Sequence, residues 1–141
     1  MIGGQVVDLA AQGETLTLDQ LQWLSDRKTA SLICCAVEFG GVIGQATTAQ
    51  MAALSQFGER IGLAFQVVDD ILDVTSSSEI LGKTDHSDQA NAKPTYASAL
   101  GVDKARAYAQ ELYERALEAL APISNSSRLQ TIAMQLVERI T

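Results

Sequence analysis

The chain has 141 residues, enough for one ordinary domain with a sizeable core, and its 47% hydrophobic and 19% charged residues exclude a disordered class. A formal charge of -7, with only 10 basic residues scattered along the chain, argues against nucleic acid, whose binding surface needs clustered Lys and Arg. The apolar stretches are broken well short of the ~20 residues that a membrane span requires, and no basic-then-apolar leader pattern opens the chain, so a soluble, cytoplasmic protein is expected.

Only 2 prolines occur, strand-type alternation is missing, and Ala, Leu, Gln and Glu are frequent, which predicts an all-α fold of about five helices. The first helix is expected from about Gly4 to Gln12, ended by Gly13. A longer one should run from Leu18 to Val42 with Thr17 as its N-cap. On it Leu21, Leu24, Lys28, Leu32, Cys35 and Phe39 share one stripe, so a lysine interrupts an apolar face. Such a lysine either snorkels out to water or points at an anion. The adjacent Cys34 and Cys35 suit neither a loop-closing disulfide nor a spaced metal site, and read as buried thiols in a reducing compartment.

The third helix is predicted over Thr48 to Val74. At ~100° per residue, Gln66, Asp69, Asp70 and Asp73 fall on one side, with Ser55, Gly58 and Gly62 continuing their stripe. Ile61, Ala64, Val67, Val68, Ile71 and Leu72 form the apolar arc opposite. A stretch without helical periodicity follows from Thr75, through Gly82-Lys83 to Lys93-Pro94-Thr95-Tyr96, and loops of such length are usually functional or disordered. The fourth helix should start at Asp103, bury Ala105, Ala109, Leu112, Ala116 and Leu120, and end by Pro122. The last, after Asn125-Ser126-Ser127, lines up Leu129, Ile132, Ala133, Leu136 and Ile140.

Three aspartates at Asp69, Asp70 and Asp73 repel one another and form helix poorly, a local conflict of the kind that marks functional sites. The bland alternative is a solvated acidic face, but such faces continue with Lys, Glu and Arg, whereas this one continues with Gln66, Gly62, Gly58 and Ser55. Those small residues imply a cavity-facing acidic end. Its oxygens suit a hard cation, above all Mg²⁺, which one or two carboxylates hold while substrate phosphates and waters complete the octahedron. The EF-hand pattern of alternating acids, Gly and a closing Glu is not present.

The pieces Gly3-Gly4-Gln5 with Asp8, Lys28-Thr29 with Leu32, Phe65-Gln66 running into Asp69-Asp70-Ile71-Leu72-Asp73, Gly82-Lys83 with Asp88, and Lys93 with Thr95-Tyr96 stand in one order. In that order they resemble the trans-isoprenyl diphosphate synthases, nearest to bacterial farnesyl or geranyl diphosphate synthases. The likeness covers nearly the whole chain, so residues 1–141 resemble the C-terminal portion of one synthase domain. The resemblance implies a helical bundle around a deep cavity, usually a homodimer, in which an allylic diphosphate condenses with isopentenyl diphosphate through a carbocation. It implies Mg²⁺ at Asp69, with Asp70 and Asp73 holding metal-bound water or orienting neighbours, and Asp88 close to the metal. It implies Lys28, Lys83 and Lys93 around the allylic diphosphate. Thr29, through its main-chain oxygen, and Gln66, through its side-chain oxygen, would face the developing cation.

The chain departs from the pattern at Asp85-His86-Ser87, where a glycine is common, and at Ala92; His86, the only histidine, reads as an exposed loop residue. The first aspartate-rich motif of the family does not occur in these residues, so the isolated chain is expected to have negligible condensation activity. The rival readings are a truncated, non-catalytic helical interaction subunit and a cyclase-like ionisation of a diphosphate without a second substrate.

Overall fold

A computed structural model describes residues 2–11, 13–81 and 94–140, with side chains at all of these except 76–81. Its elements are α1 (Ile2–Ala10), α2 (Leu18–Ser25), a π turn (Asp26–Ala30), α3 (Ser31–Ile43), α4 (Thr48–Leu81), α5 (Tyr96–Leu100), α6 (Val102–Ala119), α7 (Ser127–Val137) and a closing 3-10 turn (Glu138–Ile140). The all-α expectation holds. Among the described residues no helix is long and apolar enough to cross a membrane.

Three helices begin with the same device. Thr17 and Gln20, Thr47 and Gln50, and Thr95 and Ser98 each exchange two hydrogen bonds, side chain to backbone in both directions, which satisfies two of the amide groups a helix start leaves open. The box at Thr95 starts α5, which periodicity alone overlooks because the helix is only 5 residues long. It also moves the start of the next helix: Gly101 caps α6, and Asp103 lies in its first turn rather than at the cap.

The 34-residue α4 is the axis of the fold. Its apolar arc is buried as expected, with Ala64, Val67, Val68 and Ile71 fully enclosed and Leu72 partly so. One side receives α6 through Ala105, Ala109 and Ala116, whose small side chains let the two helices approach closely. On the other lie the π turn and α3. Helix α4 runs past Val74 to Leu81 instead of giving way to a loop at Thr75; the Thr75 hydroxyl bonds back to the Ile71 carbonyl at 2.9 Å, a way for threonine to sit inside a helix. On α7 and the turn that closes it, the expected inner line holds at Leu129, Ala133, Leu136 and Ile140, with Val137 buried beside them, and only Ile132 of that line is exposed.

The stripe along α2 and α3 breaks at the π turn. Leu21 and Leu24 are buried, yet Leu32 and Phe39, predicted on the same face, are 61% and 63% exposed, and Cys35 is exposed rather than buried. The wider turn inserts one residue, so the inward face steps from Leu21 to Ser25, then five positions to Ala30, and on to Cys34 and Gly41. The outer face of α3 consequently presents Leu32, Phe39, Val42 and Ile43 to solvent, and that of α1 presents Ile2, Val6 and Leu9.

The glycine stripe of α4 is filled by this same segment. A β-carbon on Gly62 would stand 2.7 Å from the Ala30 α-carbon, and one on Gly58 would stand 2.7 Å from the Cys34 α-carbon. The small residues at 58 and 62 therefore admit a neighbouring helix rather than a ligand, which corrects the cavity reading for that part of the stripe.

Candidate functional site

The π turn delivers consecutive side chains to two different helices. Lys28 reaches α1, where its Nζ lies 2.6 Å from Asp8 Oδ2. Thr29 reaches α4, where its hydroxyl donates to Gln66 Oε1 at 2.8 Å. A π turn inside an α-helix is frequent at functional sites because it re-aims side chains that regular geometry would bury or scatter. The backbones approach closely here too, since a β-carbon on Gly4 would stand 2.6 Å from the Lys28 backbone nitrogen.

The lysine that interrupted the apolar stripe thus meets an anion from its own chain. Asp8, the single charge in α1, is buried at 8% exposure and sequence reading gave it no role, although an acid alone in an otherwise uncharged helix was a signal. Lysine carries three donors, so the bond to Asp8 leaves others for a second oxygen.

From Gln66 the hydrogen bonds continue. Its Nε2 donates to Asp70 Oδ1 at 2.8 Å, and the Tyr96 backbone amide donates to Asp70 Oδ2 at 2.9 Å. Gln66 and Asp70 are 8% and 4% exposed. The Tyr96 ring is wholly buried and packs on Tyr108 with centroids 5.9 Å apart, which fixes the amide that reaches Asp70. Burial pushes the Tyr96 phenol well above the usual range, with the Ser25 hydroxyl opposing it, though the phenol oxygen makes no hydrogen bond of good geometry. Asp8, Lys28, Gln66, Asp70 and Pro94 line one narrow cleft with Leu21 and Leu24 as its apolar wall.

The three aspartates of the motif are therefore in different situations. Asp70 is buried and accepts from the protein on both oxygens. Asp69 is half-buried, and among the described residues its carboxylate makes no hydrogen bond or ion pair. Asp73 is exposed. No group of three acidic, His or Cys side chains that could hold a metal occurs among the described residues. One open carboxylate, on the residue next in sequence to Asp70, still fits Mg²⁺, which commonly takes one or two carboxylates and completes its shell from phosphate and water. Lys83, Asp88 and Lys93 lie outside the described residues, as do Asp85, His86, Ser87 and Ala92.

A second cavity, about 700 Å³, opens on another face of the same helical run, lined by Asp26, Cys34, Glu38, Glu59 and Arg60 among others. Burial pushes the Cys34 thiol up to about 11, with Glu38 adding to it. The Asp26 carboxyl is raised above its ordinary value by burial first and by the Glu59 carboxylate second, against an opposing Arg27. A carboxyl raised in the folded state stabilises most below its unfolded value of about 4 and loses that contribution as pH rises through the folded value. Asp26→Asn is expected to raise the thermal midpoint slightly at pH 7 and to leave no gain at about pH 3. Thermal melts across that range would show an unchanged offset if Asp26 were not the cause.

The sequence pattern of the family described as "Polyprenyl synthetase" matches residues 1–133. The chain belongs to the polyprenyl synthetase family. It is 42% identical over 135 residues to a chloroplastic geranylgeranyl pyrophosphate synthase of Catharanthus roseus, covering 95% of this chain and 38% of that one. It is 38% identical over 144 residues to the farnesyl diphosphate synthase of Escherichia coli (strain K12), covering 99% and 48%. Among solved structures, a putative farnesyl-diphosphate synthase from Marinomonas sp. MED121 superposes with a TM-score of 0.80 at 32% identity, covering 97% of this chain and 46% of that one. A Helicobacter pylori geranyltransferase complexed with magnesium and isoprenyl diphosphate gives 0.73 at 35% identity, covering 98% and 45%. This polyprenyl synthetase chain spans less than half the length of those relatives, and their names divide between farnesyl and geranylgeranyl products.

Proposed function

We propose that the chain forms the diphosphate-holding wall of a short-chain prenyltransferase site, in which an allylic diphosphate condenses with isopentenyl diphosphate to a farnesyl- or geranyl-type product. The observation that carries the reading is the connected set Lys28–Asp8 and Thr29–Gln66–Asp70, assembled from three helices by one π turn beside the open carboxylate of Asp69.

The chemistry asks for a departing diphosphate and a carbocation to be stabilised together, away from water. Lys28, with Lys83 and Lys93, would neutralise the diphosphate as the allylic carbon–oxygen bond breaks. The Gln66 Oε1 and the Thr29 main-chain oxygen would face the positive carbon, which the double bond of the second substrate then attacks, a proton being lost to give the new allylic product. Asp69 would hold Mg²⁺, with Asp73 and Asp88 nearby; when bound, the metal supplies charge that stabilises the leaving diphosphate. The uncharged outer faces of α1 and α3 support assembly, as a homodimer or against the rest of a synthase fold, and the expected setting is the cytoplasm.

Isothermal titration of the purified chain with inorganic diphosphate, with and without Mg²⁺, tests the wall itself. Binding should require Mg²⁺ and weaken about tenfold or more in Asp69→Asn. Metal-independent binding, or none at millimolar diphosphate, would sink the reading.

A further inference from the structure

We propose that Asp70 is a positioning residue for Gln66 and not a metal ligand: it decides which end of the Gln66 amide is presented to the reacting carbon, and it ties that choice to the segment entering α5. The proposal rests on the role given to Gln66 above, but its structural half stands without it.

A glutamine amide has two ends of opposite character, and only the oxygen end stabilises a cation. The Thr29 hydroxyl cannot select between them, since it donates or accepts with equal ease. A carboxylate can. Asp70 takes an N–H on each oxygen, from Gln66 Nε2 and from the Tyr96 amide, so it acts as an acceptor on both sides and admits only the nitrogen end of Gln66. The oxygen end is thereby turned to Thr29, as observed at 2.8 Å.

The other donor is anchored independently. Tyr96 follows the Thr95–Ser98 capping box and is 1% exposed, so its amide cannot follow Asp70 if the carboxylate moves. Asp70 is thus held from a point 26 residues away in sequence. Asp69, one position before and ~100° round the helix, makes no such bond among the described residues and is left to meet a cation. The motif divides its work: one carboxylate faces outwards for metal, and its neighbour faces inwards for geometry.

Asp70→Asn separates these roles. With the Asn oxygen kept on the Tyr96 amide, its NH₂ faces Gln66, so Gln66 must reverse and point its own NH₂ at Thr29. In amide-resolved NMR of the purified chain, the wild-type Gln66 NH₂ should show proximity to the Asp70 β-protons, and in Asp70→Asn to the Thr29 methyl group. Adding Gln66→Glu should restore an oxygen facing Thr29, because a carboxylate has no nitrogen end. Mn²⁺ with inorganic diphosphate should bind Asp70→Asn within about threefold of wild type, while Asp69→Asn loses about tenfold.

An unreversed Gln66 in a folded Asp70→Asn chain, or a metal loss equal to that of Asp69→Asn, overturns the proposal. So does a wild-type Gln66 NH₂ that lies against Thr29, a measurement that needs no variant to fold. If the wild-type chain binds no metal–diphosphate, the functional reading fails, while the amide orientation still decides the role of Asp70.

Discussion

Gly62→Ala should destabilise the chain by about 2–3 kcal/mol, against the intrinsic helix preference for alanine. Inside a helix that swap normally gains about 0.5–1 kcal/mol. Here the new β-carbon would meet the Ala30 α-carbon at 2.7 Å and its β-carbon at 2.8 Å, and neither is the end of a flexible side chain. Helix α4 and the π turn would have to separate. Gly40→Ala is the matched control, because a β-carbon there meets nothing within 4 Å, so it should show the ordinary gain. Urea unfolding monitored by circular dichroism would give opposite signs for the two variants, and equal signs would remove the contact from the account. The separation should also break the bond from Thr29 to Gln66, so the Gly62 variant should bind diphosphate less well even where it is fully folded.

The second large effect concerns Lys28. Lys28→Met leaves the Asp8 carboxylate, 8% exposed, without its ammonium partner, and removing one member of this partly buried pair costs about 2 kcal/mol, below the full penalty of a buried one. Much of that loss is the penalty on Asp8 rather than the value of the bond. Combining it with Asp8→Asn should therefore recover stability, and the double variant should be more stable than Lys28→Met alone. A double variant whose losses simply add would mean that the two side chains do not act together. Diphosphate binding should fall in both, because the lysine is absent from both, so stability and binding part company in the double variant.

Much of this was legible before any coordinates. The helical class, the buried arc of α4, the inner face of α6 and the cap at Thr17 follow from local rules, since each repeats at the period of an ordinary α-helix. That Lys28 and Asp70 need partners is visible as conflict, charge where apolar residues are due, and the structure brings both to one cleft with Gln66. The π turn was not legible, because its one extra residue leaves a pattern that still reads as helix while shifting the phase of everything after Ala30. That is why Leu32, Cys35 and Phe39 lie outside the inward face that an unbroken helix would give them. The partner of Lys28 and the bond from Tyr96 to Asp70 are contacts across 20 and 26 residues, which no window on the sequence spans. The small residues at Gly58 and Gly62 signalled closeness but not what comes close.

The π turn also makes α2 and α3 two rods in different rotational phase, joined by a single surplus residue. Deleting one residue between Ser25 and Ser31 would let the backbone relax into an unbroken α-helix, the more favourable local state, with the inward positions of the two rods then four residues apart instead of five. Lys28 and Thr29 could then no longer address α1 and α4 at once. The surplus residue works like a clutch between the two rods: it keeps the local backbone out of its easiest form, and that misfit is what allows one strand of sequence to serve both walls of the cleft.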